Sequence, residues 1–254
     1  MNWYFKIILF FLWLFVSQCH SAHINLQELS SASLLQLDAS YQKIDAEAEA
    51  LIAPYKKALD SQMNDVVGHS LVDLYKQRPE GPLGNWAADA VLWQAQKIKK
   101  EALIICMLNH GGLRTDVASG AITLGKVYEI MPFDNELVLI GLNKDEILQL
   151  VKINLAKGGD PVAGIQIKSN CQSKDSILIN GKKLDQIPND ATIWLATSDY
   201  MANGGDDYKI LETITKRMNT GLLIRNNLID YLKFETANNI SIDNRIEGRI
   251  SICK

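Results

Sequence analysis

The sequence predicts a mixed α/β fold, and three observations support this prediction. Several segments repeat apolar residues every three or four positions, which is the spacing of one helix face. Two apolar runs, Leu103–Leu108 and Ala191–Thr197, each lead into a loop with adjacent glycines, as buried strands that end at loops do. Asn180-Gly181, which lies within the alternating segment Ser176–Leu184, is typical of a β-hairpin turn.

The helices and strands are predicted from period and flanking residues. Pro54 is expected to begin a second helix within the N-terminal helical region, because proline is tolerated in a first helical turn, and Asn143 can cap a helix. The helices are expected at 26–63, 83–100, 143–156 and 222–236, with a helix or turn at 125–128. The strands are expected at 66–72, 103–108, 136–142, 165–168, 176–184 and 191–197, and around 245–252.

The bulk composition is that of a globular chain with a sizeable core. Of its 254 residues 47% are hydrophobic, and the formal net charge is −3. A weakly negative chain without a block of basic residues has no electrostatic attraction for nucleic acid, so we expect no nucleic-acid partner.

The N-terminus has the pattern of an export signal. Lys6 precedes Ile7–Val16, an apolar run that is too short to span a bilayer, and small and polar residues follow it. We therefore expect an exported protein that is periplasmic or associated with the outer membrane. The expected organisation is a signal peptide at 1–22, a helical segment at 23–63 and a domain at 64–254.

The four cysteines lie in different surroundings. Cys106 lies in a predicted buried strand, which favours an inert core thiol. Cys171 and Cys253 lie in polar segments, where an exported protein either joins them in a disulfide or leaves them free. Cys19 either leaves with the signal peptide or carries a lipid, and the membrane is expected to be a partner only through these two features. No C-x-x-C spacing occurs, so a zinc or redox site is not expected.

Two loops combine adjacent glycines with groups that can bind a ligand. Asn109-His-Gly-Gly-Leu-Arg114 follows one apolar strand, and Tyr200-Met-Ala-Asn-Gly-Gly-Asp-Asp-Tyr208 follows the other. Adjacent glycines let the backbone come close to a bound molecule and adopt positive φ. With an aromatic ring, an aspartate and an arginine beside them, the loops predict a pocket for a sugar or a nucleoside.

Four segments occur in the order found in a known family. They are Pro82-Leu-Gly-Asn-Trp-Ala-Ala-Asp89, the loop at 109–114, Ile130-Met-Pro-Phe-Asp-Asn135 and the loop at 200–208. Each is weak alone, but together and in this order they resemble the C-terminal, substrate-recognition domain of the 5′-nucleotidase family. The resemblance covers roughly residues 66–252. It implies a layered α-β-β-α sandwich with β-sheets inside and helices outside.

The resemblance also implies roles for individual residues. Phe133 and Tyr200 are expected to hold a nucleobase between their rings, and such stacking tolerates any base. Asp206 would accept hydrogen bonds from a ribose hydroxyl, while Asn109 and Arg114 would reach the ribose or the phosphate. The other expected substrate-binding residues are a second arginine and four glycines, namely Arg78, Gly111, Gly112, Gly204 and Gly205. Read in isolation, the two aromatics also fit a core role, Arg114 a surface ion pair and Asp206 a turn.

Some positions depart from the family pattern or have a different expected role. His110 stands where the family usually has glycine, and it would narrow the pocket or donate a hydrogen bond. Asp207 replaces the glycine that follows Gly-Gly-Asp, whereas Tyr200, where phenylalanine is common, still provides a ring for stacking. Asn85 and Asp89 are expected to cap or brace the loops rather than to bind substrate.

The sequence lacks the metal ligands of the family's catalytic domain. In the family, a separate N-terminal metallophosphatase domain holds two metal ions that activate water and clamp the phosphate. This chain has only four histidines, His20, His23, His69 and His110, so no dinuclear site can be assembled. We expect no catalytic residue and no cofactor in this chain, and a divalent metal in a separate metallophosphatase chain that is its partner in nucleotide hydrolysis. The alternatives are a nucleoside-binding protein without a catalytic partner and a scaffold without a ligand.

Overall fold

The structure is a computed structural model that describes residues 46–170 and 175–253. The chain divides into two units, Met1–Leu51 and Ile52–Lys254, and only residues 46–51 of the first are described. The expected signal peptide, Cys19 and Cys171 lie outside the described residues. Cys253 is disulfide-bonded.

The described residues alternate between helices and short strands. The helices are α1 (Ala46–Met63), α2 (Pro82–Ile98), α3 (Leu124–Ile130), α4 (Lys144–Ala156), α5 (Asp199–Ala202) and α6 (Ile224–Ala237). The strands are β1 (Val66–Ser70), β2 (Leu103–Met107), β3 (Gly120–Thr123), β4 (Glu136–Leu142), β5 (Val162–Ala163), β6 (Ile165–Lys168), β7 (Ser176–Ile179), β8 (Lys182–Lys183), β9 (Ile193–Ser198), β10 (Arg217–Leu223) and β11 (Ile250–Ser251).

A five-stranded sheet forms the centre of the fold, with the strand order β10-β4-β9-β2-β5. Strands β2 and β9 are parallel, and the other neighbours in this sheet are antiparallel. A second sheet has the order β11-β6-β7-β8, and β1 pairs with β3 in a separate two-stranded sheet. The antiparallel pairing β7–β8 turns at Asn180 and Gly181, which both have positive φ, so the hairpin predicted there is confirmed.

The central sheet has a hydrophobic core on each face, because successive side chains of a strand point to opposite sides. In β2, Ile104 and Cys106 join one cluster, whereas Ile105 and Met107 join the other. Helices α2 and α6 cover the first face. Helix α4 and the second sheet cover the other face. This arrangement confirms the mixed α/β class, and Cys106 is fully buried, which raises the pKa of its thiol well above the usual value.

Helix α1 differs from its prediction. Pro54 lies inside a continuous helix instead of beginning a second one, so the predicted break is wrong. Residues 46–62 of this helix are exposed, and water can therefore bind the backbone carbonyl that the missing proline N–H leaves without a partner. No helix within the described ranges 46–170 and 175–253 is both long and apolar enough to cross a membrane.

Candidate functional site

The central sheet brings the two glycine loops to one edge. Strands β2 and β9 pair in parallel, with Cys106 opposite Ala196, and each is followed within three residues by its loop. The carboxyl ends of adjacent parallel strands lie side by side, and ligands of α/β sheets bind at such ends. Asn109 and Tyr200, which begin the two loops, therefore start from neighbouring positions.

The carboxylate of Asp206 joins the two loops. Asn109 Nδ2 donates a hydrogen bond to Asp206 Oδ2 at 2.8 Å, and Tyr200 Oη donates to Asp206 Oδ1 at 3.2 Å. Asp206 itself has φ 51° and ψ 39°, a left-handed conformation that aspartate tolerates better than most residues. Since each carboxylate oxygen can accept a second hydrogen bond, the group retains capacity for a ligand.

Phe133 and Arg114 adjoin the first glycine loop. The guanidinium carbon of Arg114 lies 5.8 Å from the centroid of the Phe133 ring, within the range of a cation–π contact. Arg114 Nη1 also donates to the Gly111 carbonyl at 3.3 Å. Phe133 is 42% exposed and Tyr200 is 45% exposed, so the alternative that these two are core aromatics is wrong.

Two of the expected glycines leave space that site side chains occupy. A Cβ on Gly205 would lie 2.6 Å from the Cε1 and Cζ atoms of the Tyr200 ring. A Cβ on Gly112 would lie 2.8 Å from Asn109 Oδ1, the other end of the amide that binds Asp206. Gly204 has φ 82°, which only glycine adopts without cost. Any side chain at these positions would displace a neighbour or strain the loop.

Two residues that sequence reasoning did not place in the site fix its aromatic segments. Asp199 Oδ1 accepts from the Glu136 N–H at 3.1 Å and from the Tyr200 N–H at 2.9 Å, which ties the start of β4 to the second loop. Arg225, at the start of α6, is 5% exposed and its Nη1 donates to the carbonyls of three consecutive residues at 3.2 to 3.4 Å, namely Met131, Pro132 and Phe133. Neither residue belongs to a local motif that would have revealed its role.

Arg78 is connected to the first glycine loop through Asp160, which also binds the backbone of His110. Arg78 Nη2 donates to Asp160 Oδ1 at 2.8 Å, and the backbone N–H of His110 donates to the same oxygen at 3.0 Å. Burial lowers the pKa of His110 below its usual 6.5, and the charges of Arg78 and Lys76 lower it further, against a smaller raising effect of Asp160.

Asn85 and Asp89 have structural roles away from the glycine loops. Asn85 Nδ2 donates to Glu80 Oε1 at 2.7 Å, and both oxygens of Asp89 accept from Arg249 at 2.7 Å. Glu80 in turn accepts from the backbone N–H groups of Glu247 and Arg249 at 2.8 Å. These contacts brace the C-terminal segment against α2. The expectation that Asn85 and Asp89 brace the glycine loops is therefore wrong.

Metal-ligand residues are scattered in the part of the chain that the structure describes. Those residues contain no group of three or more His, Cys, Asp or Glu side chains that could hold a metal ion. His69 is exposed on β1, and His20 and His23 lie outside the described residues. The divalent metal that the sequence places in a partner stays a prediction.

Comparison with known proteins identifies the class to which this fold and site belong. The family model described as 5′-nucleotidase, C-terminal domain matches residues 66–213. The match covers more than half of the chain, and the chain therefore belongs to the 5′-nucleotidase C-terminal domain family.

Individual relatives match this chain over one part of their own length. The trifunctional nucleotide phosphoesterase protein YfkN of Bacillus subtilis is 29% identical over 240 residues, which are 87% of this chain and 16% of that protein. A 5′-nucleotidase of Vibrio cholerae is 26% identical over 201 residues, 75% of this chain and 35% of that protein. The crystal structure of a 5′-nucleotidase precursor from Thermus thermophilus superposes with a TM-score of 0.65 and 26% identity, over 81% of this chain and 43% of the other. The chain thus spans less than half the length of each of these relatives.

Proposed function

We propose that this chain recognises the nucleoside part of a nucleotide during nucleotide hydrolysis outside the cytoplasm. The base would stack between Phe133 and Tyr200, and a ribose hydroxyl would donate to Asp206. The observation that carries the proposal is the convergence of both glycine loops on the Asp206 carboxylate, which binds the 45% exposed Tyr200. The 42% exposed Phe133 ring is connected to the first loop by Arg114, which contacts that ring and donates to the Gly111 carbonyl. A carboxylate next to exposed rings combines a polar contact for a sugar with a stacking surface for a base.

The charged groups of the site suit the phosphate side of the same ligand. Arg114 lies beside Phe133, and Arg78 lies beside His110 on the first glycine loop. A guanidinium binds a phosphate through two parallel N–H groups, which fixes the orientation as well as the charge. We place Asn109 and Arg114 at the ribose and phosphate, and Arg78 at the phosphate.

Hydrolysis itself belongs, in this proposal, to a metallophosphatase on a separate chain. That partner would hold the divalent metal that activates water, and this chain would present the nucleotide to it. The relatives that are named for phosphoesterase or nucleotidase activity are longer than this chain, which leaves room in them for a second domain. Adding the chain to such a metallophosphatase should raise its turnover of AMP, and an unchanged turnover would contradict the split arrangement.

Calorimetric titration of AMP and adenosine into the purified chain tests recognition directly, with free phosphate measured in the same samples. We expect saturable AMP binding without phosphate release. Phe133→Ala and Tyr200→Ala should each weaken binding about tenfold or more, the value of one stacked base. Tyr55→Ala is the matched control, because Tyr55 is a 76% exposed aromatic on α1 outside the site.

The other outcomes separate the alternatives. Phosphate release that survives stringent purification would show that the chain has a catalytic site of its own. Equal affinity for AMP and adenosine would favour a nucleoside-binding protein. Absence of binding to either ligand, with a folded chain, would leave a scaffold.

A further inference from the structure

A buried carboxylate lies behind both glycine loops. Asp160, between α4 and β5, has no exposed surface. Its side chain accepts three hydrogen bonds, from Arg78 Nη2 at 2.8 Å, from the His110 N–H at 3.0 Å and from Tyr208 Oη at 2.8 Å. A buried charge persists only when it is paired and hydrogen-bonded, and Asp160 satisfies both conditions.

The three donors come from three different parts of the chain. Arg78 precedes α2, His110 belongs to the first glycine loop and Tyr208 ends the second. Burial, together with the charge of Asp160 and its hydrogen bond, raises the pKa of Tyr208, so the hydroxyl keeps the proton that it donates. The backbone of Asp160 is itself held, because Asn154 Nδ2 donates to its carbonyl at 3.1 Å and Asn154 Oδ1 accepts from its N–H at 3.3 Å.

Arg78 is held at one nitrogen only. Its Nη2 binds Asp160, whereas Nη1 and Nε have no hydrogen-bond partner among the described residues, and its side chain is 35% exposed. Two nitrogens of this guanidinium therefore keep donors that a ligand can bind. A guanidinium with free donors suits an anion such as a phosphate, which it can bind through parallel N–H groups.

We propose that Asp160 is a positioning residue that aims Arg78 at the phosphate of a bound nucleotide, and so sets the preference of the site for a nucleotide over a nucleoside. This inference rests on the proposed function. Asp160 does not touch the ligand. It fixes one edge of the Arg78 guanidinium against the same oxygen that holds the backbone of His110, so the arginine and the glycine loop keep one relative position.

The ratio of AMP affinity to adenosine affinity tests the inference, because adenosine lacks the phosphate. Asp160→Asn keeps the shape and a hydrogen-bond acceptor but removes the charge that holds Arg78. We expect it to lower AMP affinity about tenfold, the value of one charge-assisted hydrogen bond, with adenosine affinity changed less than twofold. Arg78→Gln should lower AMP affinity alone by at least as much. Adding Asp160→Asn to Arg78→Gln should then cost no further AMP affinity.

Glu80→Gln provides the matched control. Glu80 is also a buried carboxylate, 5% exposed, but its partners are Asn85 and the C-terminal backbone. This variant should lose stability while the AMP-to-adenosine ratio stays that of the wild type. Thermal unfolding of every variant shows whether it is folded at the titration temperature.

Three results would overturn the inference. The first is an equal loss of AMP and adenosine affinity in folded Asp160→Asn, which is the result of a purely structural role. The second is an additive effect of the two substitutions in the double variant. The third is a wild type that binds AMP and adenosine equally, since no phosphate contact then exists to be positioned. If the folded wild type binds neither ligand, the proposed function itself fails, and this outcome is distinct from the other three.

Discussion

At the scale of single residues, the geometry of the site depends on two glycines that leave room for neighbouring side chains. A Cβ at residue 205 would lie 2.6 Å from the Tyr200 ring, and a Cβ at residue 112 would lie 2.8 Å from the Asn109 amide. The absence of a Cβ at these two glycines leaves room for the ring and the amide in the positions from which both donate to Asp206. The glycines thus determine the geometry of groups that are expected to touch the ligand.

Gly205→Ala should displace the Tyr200 ring and shift the loop backbone, because the added Cβ would lie 2.6 Å from the ring and from the Tyr200 carbonyl oxygen, closer than real Cβ contacts allow. We expect AMP affinity to fall about tenfold through the lost stacking. Gly221→Ala is the control, since Gly221 has φ 70° but no atom within 4 Å of its Cβ position. That control should cost about 1 kcal/mol of stability and leave affinity unchanged. Equal affinities of Gly205→Ala and the wild type would contradict the assigned role of the ring.

At the scale of secondary-structure elements, the N-terminus of α6 holds the segment that carries Phe133. Arg225 donates to the carbonyls of three successive residues of that segment and pairs with Asp134. Its guanidinium also lies 4.0 Å from the centroid of the Tyr128 ring on α3. One side chain of α6 therefore connects the end of α3 to the loop before β4.

Arg225→Lys should loosen this segment, because a lysine keeps the charge but cannot reproduce the planar fork of donors. We expect a loss of about 2 kcal/mol in the free energy of unfolding, the value of hydrogen bonds to a buried charged group. AMP affinity should fall several-fold as Phe133 becomes less fixed. Arg245→Lys is the control, because Arg245 is exposed and its one ion pair among the described residues is with neighbouring Asp243, and it should change stability by less than about 0.5 kcal/mol. Urea unfolding of both variants measures the difference. Equal losses of stability would contradict the role of Arg225 in holding the segment that carries Phe133.

The accuracy of the sequence predictions also varied by element, according to how local their causes are. Helix α4 was predicted because Asn143 can cap it and apolar residues follow at helical spacing, and the structure adds a capping box between Asn143 and Glu146. Strand β10 was not predicted, because it is an edge strand without regular alternation and Gly221 interrupts it. The predicted helix at 222–236 consequently began two residues too early.

The same distinction applies to the candidate site. The glycine loops could be found because each is a contiguous motif at the end of an apolar run. Asp160 and Arg225 could not, because the hydrogen-bond partners of their side chains lie 48 to 94 residues away and only the fold brings them together. A lone aspartate beside a proline and a lone arginine in a polar helix carry no pattern from which such contacts could be inferred.

At the scale of the whole molecule, one buried carboxyl group links stability to pH. Glu235 on α6 is 5% exposed and accepts from Trp86 Nε1 on α2 at 3.0 Å. Burial raises its pKa from 4.5 to about 7, against a lowering effect of the Trp86 hydrogen bond, while Asp89 raises it further. Between these two values the folded chain holds a proton that the unfolded chain has released. The stability that Glu235 contributes is therefore complete below pH 4.5 and is lost as the pH rises through about 7.

Glu235→Gln should remove this part of the pH dependence, because glutamine keeps an acceptor for Trp86 and cannot ionise. Between about pH 5 and about pH 8, the free energy of unfolding of the wild type should fall more than that of the variant. Urea unfolding at a series of pH values measures both slopes. Parallel curves would show that Glu235 has an ordinary pKa in the folded chain.

The parallel pairing of β2 with β9 has a consequence for how the protein acquires its binding surface. The two strands lie about ninety residues apart in the chain. Strand β4, which comes between them in the sequence, pairs with β9 but not with β2. The two loops come together only after β9, which is synthesised after β2 and β4, has inserted between those two strands. This long-range step is slow relative to helix formation. A nascent or truncated chain that ends before residue 198 therefore has helices and hydrophobic surface but no assembled ligand site. The capacity to bind nucleotide would then mark the moment at which the central sheet is complete.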